Sequence, residues 1–268
     1  MESVISTASG QASSPYALLQ GQTPPLQFTG STFLELLATL SHEFHTPLTV
    51  IEGYTSTLLA QKERLAPGEQ DEFLEMIQQA GKRLRELTKQ LLEIAQLEAG
   101  NIQLDHDLVD LSIVAREAIK EAEQQIPEPR RRHFTFTLQC RDTPGNPLQE
   151  LPLVKGDMQR LRQVLSHLLE NAIRYSPTGG RIDVIAQPAP PPFVEICVRD
   201  IGIGIASEHL KPIFDPFYRV DSRLTRESNG LGLGLTMCKH LVTLHQGYIW
   251  AESCPGGGSA FHIWLPSE

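Results

Sequence analysis

The stretch Ser41-His42-Glu43-Phe44-His45-Thr46-Pro47-Leu48 lies inside a helical repeat and decides how the first part of the chain is read. Apolar or ring side chains recur at Phe33, Leu37, Leu40, Phe44, Pro47, Ile51, Tyr54 and Leu58, alternately four and three residues apart, which is the spacing of a coiled-coil seam. On this register His42 falls two positions after a seam residue, on the opposite face, with Glu43 beside it and Thr46 one helical turn further on. The repeat predicts an imidazole held out in solvent. A second seam at Phe73, Ile77, Ala80, Leu84, Leu87, Leu91 and Ile94 follows a polar stretch containing Pro67-Gly68, so the two seams predict a helical hairpin. One hairpin buries both seams poorly alone, and pairing with a second copy into a four-helix bundle solves this, so a homodimer is expected.

The rest of the composition narrows the class. The 268 residues suit one or two domains, and 40% hydrophobic with 21% charged residues is enough to build a core. A formal net charge of -9 argues against a nucleic-acid surface, which needs clustered Lys and Arg. The first basic residue is Lys62, no apolar run is long enough to span a bilayer, and a cytoplasmic chain is expected, either whole or as the cytoplasmic part of a longer receptor. Cys140, Cys197, Cys238 and Cys254 show no Cys-x-x-Cys spacing and read as reduced structural thiols.

Residues 1–29, rich in Ser, Gln, Thr, Pro and Gly, read as a flexible leader, residues 30–100 as the hairpin, and residues 101–268 as a second domain. After Gly100-Asn101 the pattern predicts strands over His133–Gln139, Arg181–Ala186, Phe193–Arg199, Gly247–Ser253 and Ala260–Leu265, and helices over Leu111–Gln125, Met158–Tyr175 and Leu233–Gln246. Hairpin-like strand pairs with helices between them point to an α+β sandwich, one mixed sheet covered by helices on one face. Pro188–Pro192 reads as a rigid turn between two strands, and Trp250 and Trp264 as strand residues packed against the helices.

Two glycine clusters bear on chemistry. Asp200-Ile201-Gly202-Ile203-Gly204-Ile205 places its carboxylate before the glycines, and Ser207 stands where a dinucleotide fingerprint needs its third Gly, so that reading is poor. Gly230-Leu231-Gly232-Leu233-Gly234-Leu235 opens a helix and offers backbone N–H groups and a positive helix end to phosphates. Between them lies Phe214-Asp215-Pro216-Phe217-Tyr218-Arg219, and before them Glu170-Asn171-Ala172-Ile173-Arg174-Tyr175-Ser176-Pro177 closes a helix.

In this order, over residues 30–268, the motifs resemble the catalytic core of two-component sensor histidine kinases: an H box at His42, an N box at Asn171, then G1, F and G2 boxes. The resemblance implies a dimeric four-helix bundle followed by a Bergerat-type ATP-binding fold. It implies that Asp200 receives the adenine amino group, with Gly202 and Gly204 allowing close approach to the base. Asn171 would coordinate Mg²⁺ through its amide oxygen. Arg174 would offer charge to a phosphate and Tyr175 a ring near the base. Gly230, Gly232, Gly234 and Leu235 would close the end of a mobile ATP lid spanning Asp221–Asn229. In the transfer, a neutral His42 nitrogen attacks the γ-phosphorus while Glu43 holds the other ring N–H and accepts its proton. The phosphoryl group would pass to an Asp of a response-regulator receiver, and Thr46 matches the position that orients water for dephosphorylating that regulator.

Two positions depart from the pattern. His45 stands where relatives carry Arg, which weakens fixed positive charge beside the phosphates, and His167 stands where they carry a second Asn near the metal. A metal site from His42 and His45 lacks the i, i+4 pair and the nearby ligands it would need. Two readings compete with an autokinase: a non-catalytic, nucleotide-binding dimeric scaffold for a regulator, and a gyrase-like ATPase. The second is disfavoured because its water-activating acid sits a turn before the Asn, where this chain has His167.

Overall fold

The computed structural model describes residues 30–61, 64–98, 103–142, 146–148, 150–220 and 231–268; the leader, Gly100-Asn101, the Asp221–Asn229 lid and Gly230 lie outside the described residues. Helices α1 (Gly30–Gln61) and α2 (Pro67–Glu98) pack side by side as the hairpin the two seams predict. The Pro67-Gly68 pair does not separate the helices but starts the second one. Pro67 takes the first helical position, where its missing N–H costs no hydrogen bond, and the Glu69 carboxylate accepts the Ala66 N–H at 2.9 Å. Between the helices Leu40, Pro47, Ala80 and Leu87 are buried, and the Tyr54 and Phe73 rings meet at 4.8 Å. Pro47, inside α1, has no N–H for the Glu43 carbonyl, so that acceptor loses its helical bond.

The remaining elements are β1 (Asp107–Val109), α3 (Leu111–Gln125), β2 (Phe134–Cys140), β3 (Val154–Gly156), α4 (Met158–Arg174), β4 (Gly180–Pro188), β5 (Phe193–Arg199), α5 (Gly234–Leu244), β6 (Tyr248–Ser253) and β7 (Ser259–Pro266). Strands β2, β4, β5, β7 and β6 form one mixed sheet in that spatial order, with β2 parallel to β4 and the other pairs antiparallel. Ala189–Pro192 makes the connection between β4 and β5, as the proline run predicts. The three long helices lie on one face. Their apolar stripes, including Val114, Ala118, Leu165, Leu168, Leu169 and Leu241, meet Ile182, Val184, Val194, Ile196, Phe261 and Ile263 from alternate positions of the strands.

Caps fix where the helices begin. Asp110 accepts the Ser112 N–H at 2.8 Å and starts α3, and Asp157 accepts the Arg160 N–H at 3.0 Å and starts α4. His245, at the end of α5, locks this junction: its Nε2 accepts the Asp157 N–H at 3.0 Å, which leaves Nδ1–H to donate to the Leu241 carbonyl at 2.7 Å. Burial pushes the pKa of this imidazole down, against the pull of the Leu241 carbonyl and the Asp157 carboxylate. The small antiparallel β1–β3 sheet was not anticipated, because three-residue strands are too short to show alternation.

The tryptophans do not pack against the helices. On β7 the core takes Phe261, Ile263 and Leu265, so His262 and Trp264 point to the opposite face, and Trp250, paired with His262, joins them. There Trp250 stacks on His262 at 4.9 Å and meets Trp264 edge-on at 5.2 Å, while Phe193 stacks on Trp264 at 5.8 Å. The strand alternation was visible, but which phase faced the helices was not.

Candidate functional site

The second glycine cluster becomes the start of α5 and one wall of a cavity of about 370 Å³. Leu233 stands at the N-cap with no side-chain hydrogen bond, so the first-turn N–H groups of α5 keep open donors at the positive end of the helix. Gly232, Gly234 and Leu235 line the cavity, and a Cβ built on Gly234 would meet nothing within 4 Å, so the backbone there is bare. Such a helix start takes phosphate without further help from side chains.

Asp200 lines the same cavity. It follows β5 directly, is only 4% exposed, and its Oδ1 accepts the Gly202 N–H at 2.7 Å and the Ser259 N–H at 3.3 Å. Burial pushes its carboxyl above the ordinary range, and the two backbone donors only partly offset this. Gly204 lines the cavity, but Gly202 does not. Their lack of a side chain serves packing: a Cβ on Gly202 would fall 2.2 Å from the Tyr175 carbonyl oxygen, and one on Gly204, at φ 72°, 2.0 Å from that of Cys254. The expected close approach is therefore first of all between the chain's own backbone segments.

The last turn of α4 brings Asn171, Arg174 and Tyr175 to the cavity, together with Glu170 and His167. His167 Nδ1 lies 3.7 Å from Glu170 Oε2. Burial raises the Glu170 pKa, but the imidazole, Arg174 and Lys89 outweigh it and the net shift is downward. Phe214 packs edge-on to Phe261 at 6.4 Å, and Phe217 takes φ 63°, a left-handed conformation costly for an aromatic residue, with its N–H donated to the Gly232 carbonyl at 3.2 Å. Together they tie the foot of the F box to the G2 glycines.

On the hairpin, His42 and Thr46 are exposed on the same face of α1, and the Thr46 hydroxyl donates to the His42 carbonyl at 3.2 Å. Glu43 turns toward the globular lobe. Its Oε2 pairs with Arg83 Nη2 at 2.8 Å and its Oε1 lies 4.0 Å from Arg219 Nη1, so in this arrangement the carboxylate is held by two guanidinium groups. Leu40 and Leu87 join the same buried cluster as the core of the lobe. The cavity thus opens beside α2, the helix packed against the one that carries His42.

Several lining residues escaped sequence reasoning: Arg83 and Gln90 from α2, His209, whose Nδ1 lies 2.6 Å from the Tyr218 hydroxyl, and Ser259. The run Gly256-Gly257-Gly258 before Ser259 was a readable signal for the last, since a Cβ on Gly258 would fall 2.1 Å from the Asp200 carbonyl oxygen. Nothing local marked the others. Among the described residues no group of three or more His, Cys, Asp or Glu side chains is arranged to hold a metal ion, and no helix is long and apolar enough to cross a membrane.

Comparison with known proteins agrees with this geometry. Residues 34–100 match the His Kinase A (phospho-acceptor) domain, and residues 156–268 match the family described as Histidine kinase-, DNA gyrase B-, and HSP90-like ATPase. Over 238 residues, 87% of this chain and 27% of the relative, it is 33% identical to the Non-motile and phage-resistance protein of Caulobacter vibrioides. Over 243 residues, 87% of this chain and 30% of the relative, it is 32% identical to the Circadian input-output histidine kinase CikA of Synechococcus elongatus. The crystal structure of full-length ShkA in complex with AMPPNP aligns with a TM-score of 0.60 at 26% identity, over 87% of this chain and 46% of that one. The chain spans less than a third of the length of these curated relatives.

Proposed function

Because the chain is a two-component histidine kinase catalytic core, we propose that it uses ATP to phosphorylate His42 and passes the phosphoryl group to an aspartate of a response-regulator receiver. The observation that carries this reading is the pairing of a buried, backbone-held carboxylate at Asp200 with the uncapped start of α5 in one cavity, which α2 of the His42-bearing hairpin also lines. Asp200 suits an exocyclic amine of a base and the α5 N–H groups suit phosphates, which together fit the adenine nucleotide that the family resemblance implies.

In the transfer, the lone pair of one His42 nitrogen attacks the γ-phosphorus, the bond from that phosphorus to the β,γ-bridging oxygen breaks, and ADP leaves. The proton on the other ring nitrogen passes to Glu43 once its carboxylate turns toward the ring. Asn171 is the residue that would hold Mg²⁺. A single amide oxygen, with no group of three or more acidic or other metal-ligating side chains arranged as a metal site among the described residues, fits a hard cation that arrives with the nucleotide and keeps phosphate oxygens and water as its other ligands. The ion would supply charge neutralisation on the phosphates. Arg174, exposed at the end of α4, steers the phosphate tail, and Thr46 sits beside His42 where a water for regulator dephosphorylation can be placed.

We assign residues 30–100 to dimerisation and phosphotransfer and 101–268 to nucleotide binding, with the chain acting in the cytoplasm. A homodimer is supported by the stripe Leu37, Leu48 and Leu59, spaced eleven residues apart on one side of α1 and 45%, 42% and 80% exposed in the single chain.

Incubation with γ-labelled ATP and Mg²⁺ tests the reading. Acid-labile label should appear on the wild type and on His45→Ala, and should vanish from His42→Ala and Asn171→Ala. Label lost only from His45→Ala would move the nucleophile, and phosphate release that survives His42→Ala would make the protein an ATPase instead.

A further inference from the structure

The cavity is not built by the globular lobe alone. Arg83 and Gln90 reach it from α2, and Arg83 also spends one donor on Glu43, with Nη2 at 2.8 Å from Oε2. A guanidinium carries five N–H donors in a rigid fork. Its Nε is buried with no hydrogen-bond partner, a state that buried donors rarely keep. Because Arg83 also lines the cavity, a group bound there that completes the guanidinium must accept hydrogen bonds. The same lining holds Arg174, Arg219 and the positive start of α5, with the carboxylates of Glu170 and Asp200 also along it. An anion placed between the guanidinium groups and the α5 start meets both conditions.

We propose that Arg83 contacts the terminal phosphate of a bound nucleoside triphosphate with the donors Glu43 leaves free, and so connects the reacting phosphate to the carboxylate one residue from His42. The assignment rests on reading the cavity as a nucleotide site. It gives α2 a part in the chemistry: one fork orients Glu43 on one side and the γ-phosphate on the other, so the base and the group to be transferred share a single anchor. Lysine, a point charge on a flexible stem, could keep the attraction but not both contacts at once.

The test titrates the full chain with ADP and with the β,γ-imido analogue of ATP, both with Mg²⁺, by calorimetry, for the wild type, Arg83→Gln and Arg83→Lys. Arg83→Gln should bind the triphosphate analogue about ten-fold or more weakly, while its ADP affinity, which also reports an intact fold, stays within about two-fold. Arg83→Lys should recover part of the loss, and labelling of His42 by ATP should fall in the same order. Equal weakening for both nucleotides, no change for either, or faster labelling in Arg83→Gln would each overturn the proposal. The last would mean that the Arg83–Glu43 pair restrains the carboxylate rather than placing it. A wild type that binds nucleotide without labelling His42 defeats the kinase reading alone, since the ADP and triphosphate comparison still decides Arg83.

Discussion

His262 Nδ1 lies 2.6 Å from Glu195 Oε1 across β7 and β5, on the sheet face that carries no helices. Burial disfavours the charged ring, but the Cys197 sulfur and the Glu195 carboxylate outweigh it and raise its pKa to about 10. Burial also acts on Glu195, and there His262, Gln187 and Arg141 win and lower the carboxyl. The pair is an ion pair through neutral pH, stacked under Trp250.

This pair sets a pH signature. A histidine raised in the folded state contributes stability that is fully present below the ordinary value of 6.5 and is lost as pH rises through about 10. The lowered Glu195 contributes stability above its ordinary 4.5 and loses it as pH falls. Glu195→Gln should cost about 3 kcal/mol at pH 6, and the gap to the wild type should close by pH 10. Urea unfolding followed by circular dichroism at the two pH values measures both.

His245 should behave in the opposite way. Its lowered pKa means that stability is present above the ordinary 6.5 and lost as pH falls, because unfolding lets the ring take a proton that its bond from the Asp157 N–H forbids. His245→Phe, which fills the space but orphans that N–H, should cost about 1–3 kcal/mol at pH 7.5 and should flatten the acid limb of the stability profile between pH 7 and 5.

At Asp200 the expected loss is of binding, not of fold. Asp200→Asn can still accept the Gly202 N–H through its amide oxygen, so its melting temperature should stay within a few degrees, while adenine nucleotide affinity should fall about 100-fold. Because burial raises this carboxyl, wild-type affinity should begin to fall at a pH above that at which an ordinary aspartate takes up its proton. Calorimetric titration across pH 4 to 8 reads both effects.

Gly204→Ala should damage the fold first. The alanine would need φ 72° and would push its methyl to 2.0 Å from the Cys254 carbonyl oxygen, so a loss of about 2 kcal/mol or more is expected by thermal unfolding. Nucleotide binding should weaken with it, as the loop that carries Asp200 moves.

The sequence was legible where one local pattern had one solution. The four-three spacing around His42 predicts an outward imidazole, and His42 is exposed; the two glycine boxes point to one nucleotide site, and Asp200 and Gly234 line one cavity. It was silent where the answer lay in pairing across distant elements. Glu43 was read toward its chain neighbour His42, yet a helix aims adjacent side chains apart, and the carboxylate found Arg83 forty residues away. Nothing in the local sequence sets Arg83 apart from the other charges of α2. Trp250 and Trp264 alternate as strand residues should, but alternation alone does not say which phase meets the helices.

The bare start of α5 also links stability to occupancy. Backbone donors that no side chain satisfies make the vacant protein less secure than the occupied one, by an amount that grows with the logarithm of ligand concentration over its dissociation constant. A population short of its ligand would thus be more easily degraded, and a substitution that weakens binding would lower steady-state protein as well as occupancy.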